Sequence, residues 1–473
     1  MIHGRSGEGR NWEVSAALRQ LTPIPGWGSL IAGILNLPAS IQQTTASRHA
    51  VCEIALFSAI LLLSPGKAFA TNGLNVIGFG TESNGMAGAD TAVARDTTAL
   101  NTNPAGLTQI TGSALDVYGA LAFALNVRHQ DGFGNNREVS NTVIGLGGFG
   151  YARQSGNLRY GVGFFGQGGS GSVYKDLVTA FGTRDELSVL LRIVKLTPGA
   201  AYQVSDRLSV GISASIAYAD ITQKIFPDTS YYNSAVPAQS FFGTKIDGAY
   251  HVSFSPKLGA MYQFSDAVTF GASFTPRTSL PLRHGTLVSD QSALGLGKVT
   301  YHNVNLDGFA LPREIALGLA VHPDADWLLS IKLDWLDWSH ALTVTTVSAS
   351  DPDNPAAIPS LAASATNNWR NQWVMAVGGA YRYDAYTLLY MGYNHGRNPV
   401  PTQHTNPLLG AITKHHLTLG MSRQLNSRWD LATSLEYAYS GKVTYTNPEL
   451  PFGPNAALED NFLGWNVMVS RRW

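Results

Sequence analysis

From Ala114 to the last residue, Trp473, the chain repeats one pattern: segments of 10–16 residues in which apolar and polar side chains alternate. Alternation with period two places one set of side chains on each face of a β-strand. On 327–336 one face carries Trp327, Leu329, Ile331, Leu333 and Trp335, and the other Leu328, Ser330, Lys332 and Asp334. On 207–218, Leu208, Val210, Ile212, Ala214, Ile216 and Tyr218 oppose Ser209, Gly211, Ser213, Ser215 and Ala217. On 252–264, Val252, Phe254, Leu258, Tyr262 and Phe264 oppose Ser253, Ser255, Lys257, Gly259 and Gln263. A soluble sandwich gives the same period, but these segments exceed its usual five or six residues per strand.

The connections sharpen the assignment. Short turns such as Ser155-Gly156-Asn157, Ser205-Asp206, Ser265-Asp266, Asp384-Ala385 and Asn426-Ser427 suit tight hairpins, because small and acidic residues tolerate left-handed backbone or bond their own backbone. They alternate with long connections at 130–140, 171–186, 225–247, 284–300, 347–370, 396–412 and 446–460. The count is fourteen strands between 114–129 and 461–473, with both ends on the short-turn side. Short turns at one end, long loops at the other and an even count describe an all-β, antiparallel transmembrane β-barrel. Closure is required in hydrocarbon, where a free strand edge would leave its N–H and C=O groups unsatisfied.

Composition agrees. Charged residues make up 14% of the 473 residues, well below the quarter typical of soluble domains, and Gly numbers 49. No stretch after residue 70 has the twenty or so apolar residues of a membrane helix. The formal charge is +0, and removing the five Lys/Arg and three Asp/Glu of residues 1–70 from 32 of each leaves −2. No basic run points to nucleic acid. The single cysteine, Cys52, precedes the barrel and provides neither a disulfide nor a thiolate metal site there.

Residues 50–70 read as a secretory signal: the apolar run Ile54–Leu63, then Ala68-Phe69-Ala70 as a cleavage site near Ala70. Residues 1–49 form an extension, read as an over-extended reading frame or a leader. From Thr71 to Ser113 the sequence is rich in Gly and Ala and poor in strand signals, with Gly85-Met86-Ala87-Gly88-Ala89 followed by Asn103-Pro104-Ala105. This segment, 71–113, is expected to be a hatch inside the lumen of the barrel 114–473.

The Asn103, Pro104, Ala105 tripeptide in that position resembles the hatch of the FadL-type outer-membrane transporters of fatty acids and other hydrophobic compounds. Similar too are Leu311-Pro312-Arg313-Glu314, Trp327, Asp334-Trp335-Leu336-Asp337-Trp338-Ser339, Asn368-Trp369-Arg370 and Pro399-Val400-Pro401. The resemblance covers 71–473 and implies an outer-membrane protein of a Gram-negative bacterium. It further implies capture of hydrophobic molecules outside, a hatch that stops the lumen, and lateral release at a kink in the third strand. That strand here contains Gly161, Gly163, Gly166, Gly168, Gly169 and Gly171, and glycine weakens pairing and permits bulges. Gly166, Gly168 and Gly169 are the expected gate. The terminal Trp473 resembles the signal by which the barrel-assembly machinery recognises its clients.

A hydrophobic solute needs an apolar pocket with a few polar anchors. Phe226, Tyr231, Tyr232, Phe241 and Phe242 in the connection 225–247 are candidates for the outer capture surface. Leu74, Val76 and Phe79 are expected to line an inner pocket beside the hatch. Lys257, Arg277 and Lys332 fall on the lumen face by parity and are candidate partners for a carboxylate, with Asp334, Glu314 and Glu436 as competing acids. Arg313 falls on the lipid parity and is expected to snorkel.

The partners expected are long-chain fatty acids or other hydrophobic small molecules, with membrane lipid around a monomer. Aromatic hydrocarbons are the alternative cargo. Neither an ATP-binding GxxxxGK[ST] nor a G-x-S-x-G or H-E-x-x-H element is present, so no cofactor and no enzyme activity are expected. A general porin is the other rival, and a hatch of this size leaves it little water path.

Overall fold

The structure, a computed structural model, describes residues 72–473; the proposed extension and signal lie outside them. The wall is a closed antiparallel barrel of fourteen strands when each interrupted strand counts once. In chain order they are β1 (Ser113–Gln130), β2 (Val143–Ser155), β3 (Leu158–Val178), β4 (Arg184–Gln203), β5 (Leu208–Tyr231) and β6 (Phe241–Ser265). Then come β7 (Val268–Thr275 and Leu282–Asp290), β8 (Lys298–Asp307 and Glu314–Val321), β9 (Trp327–Leu336 and Val344–Pro352) and β10 (Ser360–Thr366 and Gln372–Asp384). The series ends with β11 (Thr387–Gly396), β12 (His415–Asn426), β13 (Trp429–Tyr439) and β14 (Ala456–Arg472). β14 pairs with β1 from Ala114↔Arg472 to Gln130↔Ala457, so the sheet has no outer edge. Ser113 and Trp473 exchange backbone hydrogen bonds of 2.8 and 3.1 Å at the short-turn rim.

The two faces separate as the alternation requires. Val210, Ile212, Ile216, Phe254, Leu258, Leu329, Ile331 and Leu333 are exposed outward, where lipid would cover them. Ser213, Ser215, Ser255, Lys257, Ser330 and Asp334 are buried inward. At the short-turn rim Arg471 stacks over Trp429 and Trp473 at 5.5 and 5.0 Å.

The strands run further than alternation alone suggests. Most of 225–247 is strand: β5 is 24 residues long and β6 is 25, leaving a connection at 232–240. β3 and β4 likewise absorb most of 171–186. Above the lipid band neither face meets hydrocarbon, so backbone pairing continues while the apolar–polar contrast fades. The upper half of the lumen is filled by a large apolar core that includes Leu191, Ile193, Phe226, Tyr301, Trp338, Trp369 and Phe452.

Residues 72–112 run against the inner face of the wall in the lower half, and most are buried. Asn103 caps a turn of 3-10 helix, Pro104–Gln109: its side chain accepts from the Ala105 N–H at 3.2 Å and donates to the Thr91 and Ala260 carbonyls. Ala105 fits against Gly211 and Gly259, which face each other across β5 and β6. A methyl group on Gly259 would lie 2.1 Å from Asn103 Oδ1, so only glycine admits this approach. Asn84 is held by Glu436, Ser434 and Asn466 of β13 and β14. Thr418 donates to the Gly85 carbonyl at 2.8 Å, and Asn394 to that of Ala87 at 3.1 Å. The Asn-Pro-Ala motif is thus a joint between this segment and two wall strands.

Candidate functional site

Two cavities flank the amino-terminal segment, and both use Val76, Ile77 and Phe79 as lining. The first is bounded by Tyr118, Leu121, Ile144, Leu146, Gly166 and Phe462 and is mostly apolar, with Glu436 at its edge. The second holds the charged groups Asp90, Lys195, Lys257, Glu314, Lys332 and Asp334 beside Asn75, Asn101 and Gln167. One small segment therefore stands between an oily space and an ionic one.

The apolar cavity reaches the wall where the wall is unpaired. β2 pairs with β3 from Ser155↔Leu158 only as far as Gly148↔Phe165. Beyond that point β2 continues along β1 to Val143, and β3 continues along β4 to Val178. The two edges meet again at Asn141, whose side chain accepts from the Val173 N–H at 2.8 Å and donates to the Gly171 carbonyl at 3.0 Å. Gly168 and Gly169 have φ of +143° and +146°, in the region that favours glycine. Gly168 bridges to Asn75, and the Gly169 N–H donates to the Leu74 carbonyl at 3.1 Å. The β3 bulge between Gly166 and Gly168 has therefore exchanged a wall partner for the amino-terminal segment.

The ionic cavity corrects part of the parity count. Lys257 and Lys332 do point inward, but each is committed to acids. Lys257 lies 3.5 Å from Glu314 and donates to the Thr102 carbonyl, while Lys332 contacts Asp334 at 3.1 Å and Asp90 at 3.3 Å. Arg277 is exposed outside the cavity, because the lower half of β7 ends at Thr275 and the Pro276 break resets the alternation. Arg313 is exposed as expected, over Trp335 at 5.3 Å and paired with Asp337 at 2.6 Å. Glu436 binds Asn84 and His416 instead of a lysine. Lys195, which parity did not single out, is 4% exposed. Its amine is without a hydrogen-bond or ion-pair partner among the described residues, although it lines the cavity. Its inward direction is marked by neighbouring Thr197, which bonds Ser215 across the strands at 2.9 Å.

The aromatic candidates of 225–247 divide. Phe226 is buried among Phe241 and Phe452 at ring distances of 6.1 and 6.3 Å, and orders the extension. Tyr231 and Tyr232 are exposed at the tip, Phe241 and Phe242 half-buried, and Phe181 stacks on Tyr231 and Phe241 at 5.4 and 4.8 Å. Leu74 is fully buried in the core and touches neither cavity's lining.

Comparison with known proteins decides the family. Residues 62–459 match the model of the outer membrane protein transport protein family (OMPP1/FadL/TodX). The chain belongs to this family. It is accordingly an outer-membrane barrel that transports hydrophobic compounds. Among solved structures it is similar to the Pseudomonas putida toluene transporter TodX, with TM-score 0.71 and 17% identity over 84% of this chain and 99% of that one. The Ralstonia pickettii toluene transporter TbuX follows at TM-score 0.65 and 19% identity, covering 84% and 99%. A Pseudomonas aeruginosa FadL homologue is similar at TM-score 0.67 and 14% identity, covering 85% and 99%. Such identities establish the shared fold. No curated protein sequence matches.

Proposed function

We propose that the cargo is an apolar chain carrying a carboxylate, of the long-chain fatty acid class. It meets the aromatic surface around Tyr231, Tyr232, Phe241 and Phe242, passes to the two cavities, and leaves sideways between β2 and β3. The observation that carries the choice of cargo is Lys195. A buried amine that no acid hydrogen-bonds, with Glu314 acting on it only from a distance, is costly, and an incoming carboxylate would relieve it. The adjoining apolar cavity suits the hydrocarbon tail. Lys257 and Lys332, neutralised by their acids, hold the amino-terminal segment and the wall together. Residues 72–112 act as the hatch, and Gly166, Gly168 and Gly169 shape the gate. Cargo moves only if its binding favours an arrangement in which residues 74–75 release β3. Trp473, at the end of β14, serves as the recognition element for barrel assembly.

A second reading, uptake of aromatic hydrocarbons, is favoured by the mostly apolar lining of the cavity next to the gap, which holds no cation. Binding to purified mature protein in detergent separates the two. Oleate should bind, and Lys195→Met should weaken it roughly tenfold or more, the loss of one charge-assisted hydrogen bond. Toluene binding should not change in that variant. An oleate affinity indifferent to Lys195 overturns the carboxylate reading, and toluene binding without oleate binding replaces it with the second.

A further inference from the structure

Outward-facing residues of β7–β10 form one rank across the wall: Phe274 opposite Ile315, Ile315 opposite Trp335, and Trp335 opposite Trp373. Directly past this rank, where the strands break, the outer surface changes from apolar to basic. Arg277 follows the end of the lower half of β7 at Thr275, and Arg313 precedes Glu314 of β8. Arg370 precedes the lower half of β10. Arg397 follows Gly396, the last β11 residue paired with β10, and so comes beside Trp373. All four are exposed. Arg313 alone has an acid, Asp337; the side chains of Arg277, Arg370 and Arg397 have no partner among the described residues. Cations of the β4–β6 extensions differ: Arg192 pairs with Asp220 at 2.6 Å, Lys224 with Glu186 at 3.2 Å and Lys245 with Asp247 at 2.9 Å.

Arginines at the upper edge of an oily band, three of the four without an acid and all on one side of a barrel, match a flat anionic layer at that height. The guanidinium fork grips phosphate oxygens in pairs, and Trp335 and Trp373 belong at the same interface. We propose that the β7–β11 face docks phosphate-bearing lipid headgroups of the outer leaflet through Arg277, Arg313, Arg370 and Arg397. This side of the barrel is thereby anchored in the membrane plane, while the gap between β2 and β3 lies on strands outside the arginine row. The source is lipid and not free phosphate, because the arginines continue the surface that the acyl chains already cover.

The test uses the whole mature protein in detergent with diphosphorylated lipid A, its dephosphorylated form, or inorganic phosphate, read by native mass spectrometry and thermal shift. Wild type should retain and be stabilised by the phosphorylated lipid, less so as salt rises, and not by the other two. Retention should weaken by roughly fivefold per Arg→Gln change in R277Q, R313Q, R370Q and R397Q. A control, Arg192→Gln, should keep wild-type retention, and heat-modifiable gel mobility confirms that each variant is folded. Equal retention of dephosphorylated lipid, or undiminished retention by the quadruple variant, overturns the proposal. So does equal stabilisation by inorganic phosphate. Cargo transport is not part of the readout, so failure of the fatty-acid reading leaves this result interpretable.

Discussion

The wall is interrupted in two places, and the two are built from opposite materials. Between β2 and β3 the pairing stops at glycines, Gly148 on one strand and Gly166 to Gly169 on the other. Behind that interruption lies a mostly apolar cavity. Across β7–β10 the strands break at Pro276, Pro281 and Pro312 and at the segment 337–343. There the space behind is full. Trp338 and Trp369 meet edge to face at 4.9 Å, and Trp338 donates to Gln372 at 3.2 Å. A short ladder joins Thr278–Ser279 to Ala310–Leu311, and Gly73 lies flat on the Trp338 ring. A break in strand pairing is thus not by itself an opening; the side chains behind it decide.

The contrast can be broken from its sealed side. Trp338→Ala should remove the stopper behind the β7–β10 break and cost about 3–5 kcal/mol, the range for large aromatic truncations in a core. Denaturant unfolding in lipid vesicles reads the stability, and entry of a small hydrophilic dye reads the seal. An unchanged midpoint with no dye entry would show that the prolines alone shape that break. On the open side, Gly168→Val places a side chain at φ +143° and puts its Cβ 2.1 Å from the Leu74 carbonyl oxygen. Such strain is of order 1–3 kcal/mol, and residues 74–75 should be driven off β3. Protease access near Asn75 would then increase and cargo uptake fall; a variant with wild-type uptake separates the bulge from transport. The smallest effect is expected for Asn141→Ala, which loses the two hydrogen bonds that close the top of the gap, about 1–2 kcal/mol. Hydrogen exchange at Gly171 and Val173 should quicken while the rest of β3 is unaffected.

Much of this architecture is legible in the sequence because lipid enforces a strict contrast between faces. The strand count, the chain ends at the short-turn rim and the inward direction of Lys257 and Lys332 follow from period two. Legibility fails where that contrast fails. In β4, Leu187, Val189, Leu191 and Ile193 point into an apolar core, so both faces look alike and Lys195 does not stand out. At Pro276 the alternation resets, which moves Arg277 from the lumen to the outer surface. The glycines of β3 are conspicuous in the sequence. That their free edge meets Leu74 and Asn75 is a contact between residues more than ninety positions apart, which strand periodicity does not encode.

The central claim is that cargo leaves between β2 and β3. A Cβ at Gly166 would lie 3.2 Å from Leu146 Cδ2 across the gap, and Cys52 lies within the proposed signal, so a cysteine pair L146C/G166C can be oxidised on its own. Uptake of labelled oleate into proteoliposomes or cells carrying this variant should fall to background when the disulfide forms and recover with reductant. Undiminished uptake through the crosslinked wall, with the disulfide verified by mass, would contradict lateral release and direct the path elsewhere.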